Sequence, residues 1–274
     1  MKLSICHYSF HALIQAEHWD LARFVRECRA LGLPACDFHQ RLVGTLDEAT
    51  AGTIRAALRD QGMQVSAFSL GNNFCKSDPA EHRQQVAEAV AGLEFAARIG
   101  ARIVRFFGCE DPQVWIDAMQ TCLPVAEKYD LLIALENHGG RSSACAAQLQ
   151  DIRAIDSPRV RALIDIGNYM QAGDDPVASI RQVLPFCVYV HLKDNKRFPP
   201  GSAEGRFYPR AGCNLKGEIL GRGDVDLAGC LRALREGGYR GFAALEYEGT
   251  EEPRQGIAAS LANVRAALAA APSG

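Results

Sequence analysis

No apolar stretch of this sequence approaches the about 20 residues a bilayer-spanning helix needs, so no membrane span is expected. Nor is there a surplus of positive charge. Thirty basic side chains stand against 32 acidic ones, a formal net charge of -2, so neither nucleic acid nor an anionic membrane is an expected partner. The ten cysteines (Cys6, Cys28, Cys36, Cys75, Cys109, Cys122, Cys145, Cys187, Cys213 and Cys230) include no CxxC pair. That removes the usual signature of a zinc knuckle or a dithiol redox centre, and most of them read as small buried hydrophobes. The opening residues, Met1 to His7, lack the apolar segment and small-residue cleavage site of a secretory signal. The cytoplasm is therefore the expected compartment. Apolar material is plentiful, with 48% hydrophobic and 23% charged residues, enough for a large core.

Short apolar runs begin near Lys2, Leu33, Gln64, Ala101, Leu131, Val160, Cys187 and Gly241, at spacings of 31, 31, 37, 30, 29, 27 and 54 residues. One βα unit takes about 30 residues, so the pattern reads as consecutive βα units. Amphipathic stretches lie between the runs: Trp19 to Leu31, Ala80 to Ile99, Val114 to Tyr129, Asp226 to Glu236 and Arg254 to Ala270. Asp47, Asp78 and Asp226 sit where helix N-caps belong, and Gly32, Gly62 and Gly100 where C-caps belong. Eight such units predict a closed (β/α)8 TIM barrel, a single domain over residues 1–274. An open doubly wound sheet would carry a glycine-rich turn after its first strand, whereas here His7-Tyr8-Ser9-Phe10-His11 follows. The last spacing holds a long β7-α7 insertion, about Lys196 to Val225, rich in proline, glycine and arginine. A loop of that length directly after a candidate ligand strand reads as a lid or substrate loop.

The working face of such a barrel is the C-terminal end of its strands. Four consecutive runs each deliver one ionisable group there: Glu136 after Leu131-Leu132-Ile133-Ala134-Leu135, Asp165 after Leu163-Ile164, His191 after Tyr189-Val190, and Glu246 after Ala243-Ala244-Leu245. Strand alternation pairs Glu136 with Ala134, Asp165 with Leu163 and Glu246 with Ala244 on one face. Three carboxylates converging there would repel one another. A divalent cation resolves that repulsion and explains the histidine among them. Carboxylate oxygens with one imidazole suit Mn²⁺, Mg²⁺, Co²⁺ or Zn²⁺. Glu248 shares a face with Glu246 and is its rival as a ligand.

The segments Glu136-Asn137-His138-Gly139-Gly140, Asp165-Ile166-Gly167-Asn168, His191-Leu192-Lys193-Asp194, Gly221-Arg222-Gly223-Asp224-Val225-Asp226 and Leu245-Glu246-Tyr247 run in a telling order. Together they resemble the xylose isomerase-like TIM-barrel superfamily, in particular its sugar phosphate isomerase/epimerase branch. The resemblance implies that Glu136, Asp165, His191 and Glu246 are the metal ligands. It also implies that Glu136 and Glu246 act as acid and base, and that Arg197, six residues after the histidine, binds substrate. Ketose 3-epimerases of the branch carry a histidine where Asn168 stands; asparagine hydrogen-bonds a hydroxyl but does not exchange protons near neutral pH. Self-association is a further expectation from the branch. Its three-zinc DNA-repair endonucleases need additional histidines, and Arg105, Phe107 and Asn168 do not supply them.

The expected activity is a metal-dependent isomerase or epimerase, working by proton transfer through a metal-bound enediolate on a sugar, keto-sugar or small hydroxy-carbonyl compound. A dehydratase or β-eliminating lyase on a keto-sugar or keto-cyclitol is the alternative from the same site. Lys193 shares a face with His191 and either meets substrate or makes a surface salt bridge. His138 shares a face with Glu136 and is a candidate to orient it or to meet substrate. His7, near the end of the first strand, reads either as a substrate contact or as a structural histidine, and His39 as structural. The Gly221-Arg222-Gly223 turn reads as loop geometry rather than a phosphate cradle.

Overall fold

Strands and helices alternate as the thirty-residue spacing predicts. In the computed structural model, which describes residues 1–270, the first seven strands are β1 (Lys2–Ile5), β2 (Ala35–His39), β3 (Gln64–Ser69), β4 (Ile103–Phe107), β5 (Leu132–Glu136), β6 (Val160–Asp165) and β7 (Cys187–Leu192). Three short strands follow, β8 (Asp194–Phe198), β9 (Arg206–Tyr208) and β10 (Cys213–Glu218), before β11 (Phe242–Leu245). Residues 271–274 of the expected domain lie outside the described residues.

Strands β1 to β7 and β11 form one sheet in the order β1-β11-β7-β6-β5-β4-β3-β2, and every pairing is parallel. Among the described residues the two ends of that order meet at one parallel bridge, Cys6 to Asp37, so the barrel closes at its C-terminal mouth. The expected single-domain α/β TIM barrel is the observed fold. Among the described residues, no helix is long and apolar enough to cross a membrane.

The caps form where sequence places them. Asp47 accepts from Thr50 N–H, Asp78 from Ala80 and Glu81 N–H, and Asp226 from Gly229 N–H. Gly62 and Gly100 take the left-handed conformation at the ends of helices Glu48–Gln61 and Pro79–Ile99. Gly32 lies one residue past the cap of helix Leu21–Ala30, which is Leu31.

Period-two alternation divides the apolar residues into two bodies. The larger lies between strands and helices. The smaller fills the barrel interior with Ala67, Ala134, Leu163, Tyr189 and Ala244. Ala134, Leu163 and Ala244 are the residues that share a face with Glu136, Asp165 and Glu246, so those three acids also face the axis. Ser66 Oγ, bonded to Ser4 Oγ (2.6 Å) and Tyr189 OH (2.8 Å), satisfies the polar atoms below them.

The insertion is not an irregular loop. Strand β10 pairs antiparallel with both β8 and β9, giving a three-stranded sheet with Pro199, Pro200, Gly201, Gly205, Pro209 and Gly212 between its strands and Gly217 within β10. Asp194 anchors it. Its carboxylate accepts from the N–H groups of Gly221 (2.8 Å), Gly223 (3.0 Å), Val225 (3.1 Å) and Asn195 (2.8 Å). The glycine turn is thus already occupied by a protein carboxylate, and a Cβ at Gly223 would stand 2.2 Å from Asp194 Oδ1. Asp194→Ala orphans four N–H groups and is expected to cost about 2–4 kcal/mol, read by urea unfolding. A loss under about 0.5 kcal/mol would contradict the anchoring role.

Candidate metal centre

Strands β5, β6, β7 and the residue after β11 bring Glu136, Asp165, His191 and Glu246 together. One ligand atom from each lies within 4.8 Å of all the others, and all four residues are buried. Register explains the common height: Asp165 pairs with His191, and His191 with Ala244, two residues before Glu246. His191 Nδ1 stands 3.5 Å from Glu136 Oε1 and 3.6 Å from Glu246 Oε2.

Three of these four side chains keep a buried polar atom with no hydrogen-bond partner: Glu136 Oε2, Asp165 Oδ2 and His191 Nδ1. Buried orphans are costly and call for a missing partner. The other Asp165 oxygen is fully engaged, accepting from Gly167 N–H (2.8 Å) and Asn168 N–H (3.0 Å). Hard oxygen donors with one imidazole and no thiolate suit a divalent cation, and the residues present fit one. Cys6, Asp37 and His191 form a second close group, but burial pushes the Cys6 thiol well up, which keeps it protonated.

Charges around the cluster are paired by residues the sequence reading had not assigned. Arg105, on β4, places Nε 3.3 Å from Glu136 Oε2. Burial pushes the Glu136 carboxyl up; Arg105 and His191 more than offset that and hold it at about 2. Burial drives the Asp165 carboxyl well up; Lys193 opposes the rise, and the Glu246 and Glu136 carboxylates add to it. Asp37, on β2, accepts two contacts from Ser69 Oγ at 3.0 Å and lies 3.4 Å from His191 Nε2. With a cation bound, that partner would take the histidine's Nε2–H and leave Nδ1 free to act as a ligand. The available signal for Asp37 and Arg105 was a charged residue inside an otherwise apolar strand, in Ala35-Cys36-Asp37-Phe38 and Ile103-Val104-Arg105-Phe106.

A cavity of about 190 Å³ opens above the cluster. Its walls are Tyr8, His39 and Arg41 on the β1–β2 side, Arg105, Phe107 and His138 on the β4–β5 side, and Lys193 and Glu248 opposite, with Glu136 and Glu246 below.

A profile of the xylose isomerase-like TIM barrel matches residues 25–267. The chain belongs to the xylose isomerase-like TIM-barrel family. Within this family it is similar to a 3-dehydroshikimate dehydratase of Bacillus anthracis, with 22% identity over 268 residues and 91% of each chain covered. It also superposes on the 3-keto-D-glucoside 4-epimerase of E. coli, with a TM-score of 0.77, 15% identity, and 97% of this chain and 99% of that one covered. A family member from Mycobacterium smegmatis in complex with magnesium superposes with a TM-score of 0.69, at 20% identity over 90% of this chain and 89% of that one.

In this member of the xylose isomerase-like family the remaining expected contacts divide. Lys193 and His138 line the cavity. The lysine is a buried salt bridge rather than a surface one, with Nζ 2.9 Å from Glu246, 3.0 Å from Glu248 and 3.7 Å from Asp165. Glu248 therefore stands on the wall, outside the cluster. Asn168 does not reach the cavity. It is buried, donates from Nδ2 to Glu136 Oε1 (3.4 Å) and accepts from Gln171 (2.6 Å). Arg197 does not reach it either: on β8 it is exposed, opposite Leu215 in the three-stranded sheet. His7 packs in the core against Phe24 at 4.0 Å, because the 3-10 turn His7–Phe10 carries Tyr8, not His7, to the cavity. His39 lines the cavity instead of being purely structural.

Proposed function

We propose that the chain is a divalent-metal-dependent isomerase or epimerase that shifts a proton beside the carbonyl of a small hydroxylated ketone. The observation that carries this reading is the convergence of four ligand atoms within 4.8 Å, at the floor of a polar cavity. Glu136, Asp165, His191 and Glu246 would hold Mn²⁺, Mg²⁺, Co²⁺ or Zn²⁺. Bound there, the cation supplies Lewis-acid polarisation of a carbonyl and of an adjacent hydroxyl. Glu246 and Glu136 enter the floor from strands separated by β6 and β7, so they flank a substrate from two sides. One removes the C–H proton and the other returns it. Lys193 Nζ, beside Glu246, donates to oxygen as negative charge develops. His138 and His39 meet hydroxyls, and Phe107 and Tyr8 exclude water.

A dehydratase reading is favoured by one feature. The Lys193 ammonium lies between two carboxylates, 2.9 Å from Glu246 and 3.0 Å from Glu248. A base and a proton donor for a leaving hydroxyl thus share one wall. Two of the three relatives named above, the dehydratase and the 4-epimerase, act by their names on hydroxylated ring ketones, which supports that substrate class for this chain. Incubating the metal-loaded protein with such ketones in ²H₂O separates the readings. Isomerisation or epimerisation gives a product carrying one solvent deuteron; dehydration gives loss of water and a new conjugated chromophore. Recovery of unlabelled, unchanged ketones would reject both.

Asp37→Ala is expected to weaken metal binding by roughly 10–100-fold, because it releases the histidine ring. Competition against a chromogenic chelator reads the affinity without turnover. Native affinity in this variant would remove the positioning role of Asp37.

A further inference from the structure

Two guanidinium groups outside the proposed proton transfer face the cavity. The Arg105 side chain is 2% exposed and its guanidinium lies 3.9 Å over the Phe107 ring; its Nε and Nη1 have no hydrogen-bond partner, and among the described residues its one ion pair is the 3.3 Å contact to Glu136. Arg41 follows β2, and among the described residues its guanidinium meets no carboxylate within 4.0 Å. Both guanidiniums line the same cavity, and His39, kept neutral by burial and by Arg105, lines it with them. On the facing wall, Lys193 is already surrounded by three carboxylates.

We propose that Arg41 and Arg105 form a carboxylate-binding subsite, so that the substrate is a small hydroxylated ketone that also bears a carboxylate. This rests on the metal centre being the reaction site. A buried guanidinium with unused N–H groups is costly unless an anion meets it, and a neutral sugar hydroxyl offers little in return. A carboxylate matches the planar donor fork and takes two charge-assisted hydrogen bonds at once. The backbone N–H groups of the Gly221–Gly223 turn, which would be natural phosphate partners, are held by Asp194. A cavity of about 190 Å³ also favours a compact anion carried directly on the ring.

The test is equilibrium binding to the full-length, manganese-loaded protein by calorimetry. The probes are 3,4,5-trihydroxycyclohexanecarboxylate and its primary amide, which share ring and hydroxyls, so their affinity ratio isolates the charge. The native protein is expected to favour the carboxylate by about tenfold or more. In Arg41→Gln, at an exposed position, the ratio is expected to fall to within about twofold, with partial recovery in Arg41→Lys. A native ratio near one, failure of both probes to bind, or an unchanged ratio in Arg41→Gln overturns the proposal. So does tighter binding of ribulose 5-phosphate than of the carboxylate, which assigns the wall to a phosphoryl group. Absence of solvent-deuteron incorporation alongside an Arg41-dependent ratio would defeat the proposed reaction and leave the subsite standing.

Discussion

Glu246→Gln is expected to lower turnover by about 10³-fold or more and to reduce bound metal at the same time. The effect is large because one carboxylate serves several partners. Its Oε2 lies 2.9 Å from Lys193 Nζ and 3.6 Å from His191 Nδ1, and its Oε1 accepts the distant 3.9 Å contact from Cys6 Sγ. Neutral glutamine keeps the shape but loses the charge that pairs the buried ammonium, and it cannot accept a proton as a carboxylate does. Glu248→Gln is the internal control. Glu248 is 37% exposed and outside the four-residue cluster, so metal content should stay at the native level. Steady-state rates and metal analysis on both variants decide the assignment. Glu246→Gln with turnover within tenfold of native, or a greater metal loss in Glu248→Gln, would transfer the ligand role to the rival acid.

The second large effect is acid instability. Burial lowers His7 to about 3, and burial together with Arg105 lowers His39 to about 2, so both imidazoles are neutral in the folded protein. An unfolded histidine titrates near 6.5. Because the folded values are depressed, the unfolded chain binds the extra protons. Stability is fully present above pH 6.5 and falls as pH drops from there toward 3 and then 2. At 1.36 kcal/mol per unit for each site, the two together remove about 4 kcal/mol between pH 7.5 and pH 5. Urea unfolding across that range should show the fall, and His7→Phe, which cannot take up a proton, should make its slope shallower. A flat profile, or an unaltered slope in His7→Phe, would show that these rings do not stay neutral on folding.

Sequence carried the barrel and the four-residue cluster well, for a physical reason. Each of Glu136, Asp165, His191 and Glu246 ends an apolar run whose period-two alternation leaves no choice of face, and the register of the parallel strands sets their common height. The same rule would have found Asp37 and Arg105, which interrupt apolar strands, had mid-strand charges been weighed like terminal ones. Tyr8 and Arg41 were harder to read. They lie just past strand ends, in a 3-10 turn and a four-residue helix, where no periodicity constrains direction. Arg197 was read from its distance to His191 along the chain, but β8 begins a sheet of its own and carries that side chain to solvent. The sheet itself was masked by its glycines and prolines, which break the strand pattern while making its turns possible.

The seam between β1 and β2 has a consequence for the fate of the chain. Its bridge, Cys6 to Asp37, uses the residue whose carboxylate also faces His191. A cation seated on the histidine would therefore brace this bridge, which among the described residues joins two strand edges that could otherwise pair with other molecules. If the proposed cation is what holds that side chain, removing it should loosen the seam before the rest of the barrel.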